Sequence, residues 1–304
     1  MIVQWRLDPT ILAGVSAVAF LYGLYAGPLR RRFPGSRPVT KSQVGNFALG
    51  LLVLWLALES PLDDLGDCYF FFAHMTQHLL LVLVVPVFVL AGLPGWMVRP
   101  LLTHRAIAPL ARWLTGPLVA FTLFNVVFAV AHLPAIYDYF ATNEAAHAFE
   151  HLVFVATALL LWWPVLSPMR EYPHLSYPLQ MGYLFLQTLP CSLVAALITL
   201  SGSPLYAGYE RVRALTPISA LQDQQIGGLI MWIGGTMYFF LGMAVVFFLW
   251  ASREDPEPGP VVATDPTSTG YLLMDRRLPE INESADAQAA RPLLEAAPAS
   301  TSRR

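Results

Sequence analysis

Residues 70–90 read FFFAHMTQHLLLVLVVPVFVL, and this stretch decides the class of fold. It passes from Phe70 to Leu90 without one Asp, Glu, Lys or Arg. At about 1.5 Å of rise per residue such a helix is about 30 Å long, the thickness of a bilayer's hydrocarbon core. Its second half is plain lipid-compatible Leu and Val. Its first half carries His74 and His78, spaced i, i+4, so that both rings project from one helix face. Imidazole within a membrane is uncommon and normally turns toward the bundle interior.

The rest of the chain fits that start. Of 304 residues 56% are apolar and 12% are charged, against about a quarter charged in soluble domains. The mean hydropathy is +0.54. A single water-soluble core is excluded, because too few polar side chains exist to cover it. A net charge of −2 excludes a basic nucleic-acid surface. Two cysteines, Cys68 and Cys191, make neither a disulfide framework nor a Cys-rich metal cluster. Seven apolar segments are long enough, or nearly so, to cross a membrane: 9–26, 44–58, 70–90, 117–130, 145–165, 178–200 and 225–251. Arg6 and Asp8 follow the first residues directly, so the first segment reads as an uncleaved span. The expected fold is all-α, a membrane domain over 1–251 with about seven transmembrane helices. Residues 252–304, rich in Pro, Ala, Ser and Thr, read as a disordered tail that buries too little apolar surface to order itself.

Orientation follows from the basic residues. Arg30, Arg31, Arg32, Arg37 and Lys41 follow the first span, Arg99, Arg105 and Arg112 the third, and Arg170 the fifth; the C-terminal region holds Arg253, Arg276, Arg277, Arg291, Arg303 and Arg304. Only Arg6, Arg211 and Arg213 remain for the other side. The N-terminus is therefore expected outside and the C-terminus in the cytoplasm. The outer face is acidic: Glu59, Asp63, Asp64 and Asp67 precede the third span, and Asp138, Glu144, Glu210 and Asp223 lie in the later outer loops. That charge is the complement of the positive-inside bias, or a mouth that attracts cations.

Five of the seven histidines fall in the outer part of the membrane on this topology. His74 and His78 open the third span, His132 ends the fourth, and His147 and His151, again i, i+4, open the fifth. Any one of them could be a satisfied polar group between helices. Five at one level, about 5–12 Å below the interface, predict a metal site, since imidazole suits Cu, Zn, Fe and Ni. Glu150 is a candidate ligand or ring-orienting carboxylate. Asp223 and Met231, at the start of the last span, complete the candidate ligand set of His74, His78, His132, His147, His151, Glu150, Asp223 and Met231. Thioether sulfur favours Cu(I), though Met75, Met231 and Met237 also read as ordinary filler. Cys68, at the outer lip, could help to capture Cu(I). Asn125 and Gln187 are plausible polar partners in the bundle interior. Gly227, Gly228, Gly234 and Gly235 read as a packing face. The H-x-x-E-H match at His147–His151 is also that of an inverted zinc peptidase, but it leaves the other histidines unexplained.

Four motifs in order carry a resemblance: 72–80 (FAHMTQHLL), His132-Leu133-Pro134, His147-x-x-Glu150-His151, and Asp223-Gln224-x-x-Gly227-Gly228-x-x-Met231-Trp232. Over about residues 10–250 the chain resembles the bacterial CtaG family, the membrane assembly factors of caa-type cytochrome c oxidases. The resemblance implies a seven-span protein of the bacterial plasma (inner) membrane, needed for an active haem–copper oxidase. It implies copper as the cargo, oxidase subunits as partners and other copper chaperones as further ones. No catalytic role is expected, because no nucleophile–base pair or cofactor loop appears. Two other readings stand beside this one. A haem-binding redox subunit would use His78 and His151 as axial ligands. A copper transporter would need polar groups through the inner half of the membrane, where this sequence is almost purely apolar.

Overall fold

The computed structural model describes Trp5 and residues 7–210 and 218–254. The described residues form one helical body. Its helices are α1 (Pro9–Ala26), α2 (Lys41–Glu59), α3 (Pro61–Cys68), α4 (Phe71–Gly92), α5 (Gly95–Leu102), α6 (Ala108–Leu114), α7 (Pro117–Ala131), α8 (Pro134–Thr142), α9 (Glu144–Leu166), α10 (Tyr177–Thr199), α11 (Ala207–Glu210) and α12 (Ala220–Arg253). The expected tail lies outside the described residues apart from its first three, and those continue the last helix through Glu254.

Local chemistry sets the boundaries. Asp8 caps α1 by accepting from Thr10 N–H at 2.7 Å, with Pro9 in the first turn. Capping boxes start α2 (Thr40 with Gln43) and α12 (Ser219 with Gln222). Asn143 accepts from Ala146 N–H and starts α9. Each cap satisfies amides that the first turn of a helix leaves open.

Two helices carry π-turns, Leu80–Val84 in α4 and Ile230–Gly234 in α12. Proline explains part of the first. Pro86 has no N–H for the Val82 carbonyl one turn earlier, and the indole N–H of Trp162 donates to that carbonyl instead, at 3.1 Å.

Six helices are long and apolar enough to cross a membrane: α1, α2, α4, α9, α10 and α12. The fourth expected span is shorter than the rest. α7 has 15 residues, about 22 Å of helix, and α6 meets it at a bend of 70°. Counted as one broken span, that pair makes the seventh. α4 and α9 form the centre of the bundle, with 56% of each apolar window buried against 0% for α1. α2 runs along α4, α7 along α9, and α12 along α10. The leucines that α10 turns outward, such as Leu186, Leu189, Leu193 and Leu197, are exposed, as a lipid-facing surface requires.

Candidate metal centre

α4 and α9 bring their histidine pairs together. His74, His78 and His151 are buried and His147 is partly so. The four rings pack as two intrahelical pairs, centroids 4.2 Å apart for His74–His78 and 4.3 Å for His147–His151. Across the helices His74 stacks on His147 at 5.1 Å and His78 meets His151 edge-on at 5.2 Å. One ligand atom from each residue lies within 4.8 Å of the other three. The two Nε2 atoms of His78 and His151 are 3.2 Å apart. Two nitrogens of a tetrahedral ion with bonds of about 2.0–2.1 Å stand about 3.3 Å apart, so this pair already has that spacing. Nε2 of His74, Nδ1 of His78 and Oε1 of Glu150 are buried without a hydrogen-bond partner. An orphaned buried polar atom costs about 1–3 kcal/mol, and a bound cation would engage lone pairs of this kind.

Asp67, on α3, joins the two pairs from behind. Its Oδ1 lies 3.8 Å from Nδ1 of His74 and 3.7 Å from Nδ1 of His147. A carboxylate on the Nδ1 side favours a ring whose Nε2 is left for a metal. Burial pushes the Asp67 carboxyl up, but its contact with His74 and the charges of His147 and His74 outweigh that, and it lies below its ordinary range. Sequence reasoning placed Asp67 only in a general acidic mouth. The pairing depends on how α3 folds back on α4, which no local spacing reveals.

Two open depressions reach the cluster at the end of the bundle that the charge count assigns to the outside. One of about 380 Å³ is lined by Asp8, Asp63, Asp67, Glu144, His147 and His151 among others. The second, of about 310 Å³, is lined by Asp67, Cys68, His74 and His147 among others, so Cys68 does stand on an approach to the cluster.

The remaining candidates separate. Glu150 is buried but is not one of the four converging residues; it points about 100° round the helix from His151. Asp223 is turned to another task. Its two oxygens accept from the N–H groups of Phe71 (2.7 Å) and Phe72 (3.0 Å), so it caps α4 from a neighbouring helix. Gln224 accepts from Leu205 N–H and donates to the Ile198 carbonyl. His132, at the end of α7, stands on the inward side of the four. Its ring is 6.3 Å from that of His78, and it lines an apolar chamber of about 30 Å³ with His78, Met75, Met231 and Cys191. It is displaced because Nδ1 bonds the Phe128 carbonyl at 2.7 Å, which draws the ring back along α7. Met231 therefore joins His132 and not the cluster of four.

Three further groups went unread in the sequence. Gln77, fully buried, donates to Asp63 (2.7 Å) and to the Ala57 carbonyl (3.0 Å), locking α4 to α3 and α2. Tyr137 and Tyr209 share a hydroxyl bond of 2.9 Å, and Tyr209 donates to the Gly66 carbonyl at 2.8 Å. Tyr206 donates to the His132 carbonyl at 3.1 Å. With Phe71 these tyrosines form an aromatic layer against His74. Burial first, then the neighbouring tyrosines, hold the Tyr137 hydroxyl well above its ordinary range, so it stays a donor. Asn125 and Gln187 do pair, as a reciprocal amide bond of 2.9 and 3.0 Å.

The geometry also weighs against haem. The Nε2 atoms of His78 and His151 are 3.2 Å apart, too close for two ligands on opposite faces of one haem. The inner chamber is far below the ~300–1,000 Å³ of a small-molecule pocket.

An uncharacterized protein of Mycobacterium bovis is 26% identical over 266 residues, covering 82% of this chain and 40% of that protein. One of Mycobacterium tuberculosis gives the same values, and one of Mycobacterium leprae is 22% identical over 274 residues. The chain thus spans about two fifths of the length of these curated relatives. No solved structure gives a significant match. The family model described as cytochrome c oxidase caa3 assembly factor (Caa3_CtaG) matches residues 20–253, which include both histidine pairs, His132 and Asp223. The chain belongs to the caa3-type cytochrome c oxidase assembly factor family.

Proposed function

We propose that this protein holds a copper ion between His74, His78, His147 and His151, and passes it to a haem–copper oxidase during assembly in the bacterial plasma membrane. The observation that carries the reading is the convergence of two i, i+4 pairs from separate helices, with four ligand atoms within 4.8 Å. Imidazole ligands suit copper, and divalent copper is the strongest binder of the first-row series. Neutral imidazoles also release an ion more readily than a thiolate cluster would, which a delivery protein needs. Asp63, Asp67 and Glu144 around the mouths raise the local concentration of cations. The role is stoichiometric, not catalytic. The oxidase subunits are the recipients and other copper chaperones the donors.

Delivery is favoured over transport by the wall of the inner chamber. Phe239 lines the inner chamber and stacks on Trp162 at 5.7 Å, whose indole N–H is bonded to the Val82 carbonyl, so this wall is aromatic and offers no polar group to a passing ion.

The test measures protein level, bound copper and oxidase activity in the same membranes for His78→Ala and His151→Ala. An interhelical hydrogen bond in lipid averages about 0.6 kcal/mol, so the variants should insert at normal abundance. They should lose copper and oxidase activity together. Copper binding and oxidase activity that both survive at normal protein level would make these histidines structural. If a variant fails to accumulate, His→Gln at the same position repeats the measurement with a milder change.

A further inference from the structure

We infer that the apolar chamber beneath the four histidines is a second copper station, specific for Cu(I), built from His132, Met75 and Met231. The inference rests on the reading that copper is the cargo.

The chamber lies between α4, α7, α9, α10 and α12. Its volume of about 30 Å³ is above the ~10–15 Å³ that one water-sized occupant needs. Most of its wall is apolar: Leu79, Val82, Leu83, Phe124, Phe128 and Phe154. One wall atom has no structural use. His132 is 6% exposed, and its Nδ1 lies 2.7 Å from the Phe128 carbonyl. A carbonyl can only accept, so Nδ1 carries the hydrogen and Nε2 presents its lone pair on the opposite edge. That Nε2 is buried with no hydrogen-bond partner. A purely structural histidine would not leave an acceptor open in an apolar wall.

Two thioethers face the same space. Met75 is fully buried and Met231 is 6% exposed. Met231 is carried by the π-turn of α12, and the π-turn of α4 supplies Leu83 and Val82 to the same wall. π-turns occur preferentially at functional sites. One imidazole and two thioethers make a soft, uncharged donor set, which selects Cu(I). Charge favours the same ion: burying a divalent cation among neutral ligands costs much more than burying a monovalent one. The four-histidine cluster, beside Asp67 and open to solvent, carries no such restriction.

His78 links the two places. Its Nε2 faces His151, its ring lines the chamber, and its Nδ1 is buried and unpartnered. A Cu(I) ion could exchange His151 for His132 by ligand substitution at His78. That step needs no change of oxidation state; movement of the ion from Nε2 to Nδ1 of His78 requires the ring proton to move the opposite way.

The experiment loads the purified full chain with Cu(I) anaerobically in the presence of a reductant. It then reads copper stoichiometry and copper X-ray absorption. The wild type should bind two ions per chain, with a Cu–S shell as well as a Cu–N shell. Met75→Leu/Met231→Leu, nearly volume-conserving, should keep one ion and lose the Cu–S shell. His74→Ala/His147→Ala should keep one ion, with the Cu–S shell and a Cu–N shell from His132. A wild-type spectrum with no Cu–S shell overturns the inference while leaving the four-histidine site intact, and assigns a water to His132. A Cu–S shell that persists in the double Met variant also overturns it. A wild type that binds a single ion, with a Cu–S shell and a Cu–N shell, overturns the outer site and upholds the chamber. The wild-type spectrum decides the matter by itself if a variant fails to fold.

Discussion

At the residue scale the centre was legible as far as its spacing is local. His74 with His78, and His147 with His151, share a face because helices repeat every 3.6 residues, and the sequence alone shows this. Asp67 was not legible as their partner, since it reaches them only after α3 folds back. Its contacts of 3.7 and 3.8 Å to two Nδ1 atoms predict that Asp67→Asn weakens copper binding by about 10–100-fold, the usual cost of losing an outer-shell partner, with little change in protein level. A chelator-competition titration measures it; unchanged affinity contradicts the orienting role. The same residue separates two pH effects. Its folded value is lowered, so its stabilisation is present above the unfolded value of about 3.9 and is lost only as pH falls below that, through the folded value. Protons compete with copper for imidazole nitrogen, so copper should leave as the pH is lowered while circular dichroism stays constant. Helix loss in step with copper loss would show that the ion holds the fold and not the reverse.

At the element scale the strongly apolar spans were readable from length and composition, and the capping residues mark their starts. The π-turns in α4 and α12 were not, because a missing proline N–H predicts a disturbance without its form. Asp223 shows the limit of motif reading. It stands in a conspicuous motif and reads there as a candidate ligand, yet its carboxylate receives the Phe71 and Phe72 amides. A carboxylate at a helix N-terminus satisfies open amides and complements the helix dipole. Loss of an N-cap costs about 0.5–2 kcal/mol. Asp223→Ala should lower thermal stability by that order and loosen the copper site, with Asp223→Asn in between. A thermal melt with and without copper checks this. A variant as stable as the parent that has lost all copper would return Asp223 to the list of ligands.

At the scale of the whole molecule the class of fold was evident, since 56% apolar and 12% charged residues admit little else. The number of spans was harder, because α7 is short and is bent against α6. Fifteen of the eighteen basic residues lie on one side of the expected seven-span topology, which fits α6 and α7 counted as one broken span. Reporter fusions after Arg32 and after Arg253 should both be cytoplasmic; an extracytoplasmic signal at either point would break the topology and move the histidine mouths to the wrong face. The convergence of α4 and α9 is what the account depends on most. Its most direct test is the copper affinity of the purified full chain, compared between the parent and a His78→Ala/His151→Ala double variant. The account predicts that the parent holds copper at the four-histidine centre and that the double variant loses at least about 100-fold in affinity, since removing two ligands exceeds the outer-shell loss of 10–100-fold. Equal affinity in the two proteins would contradict it.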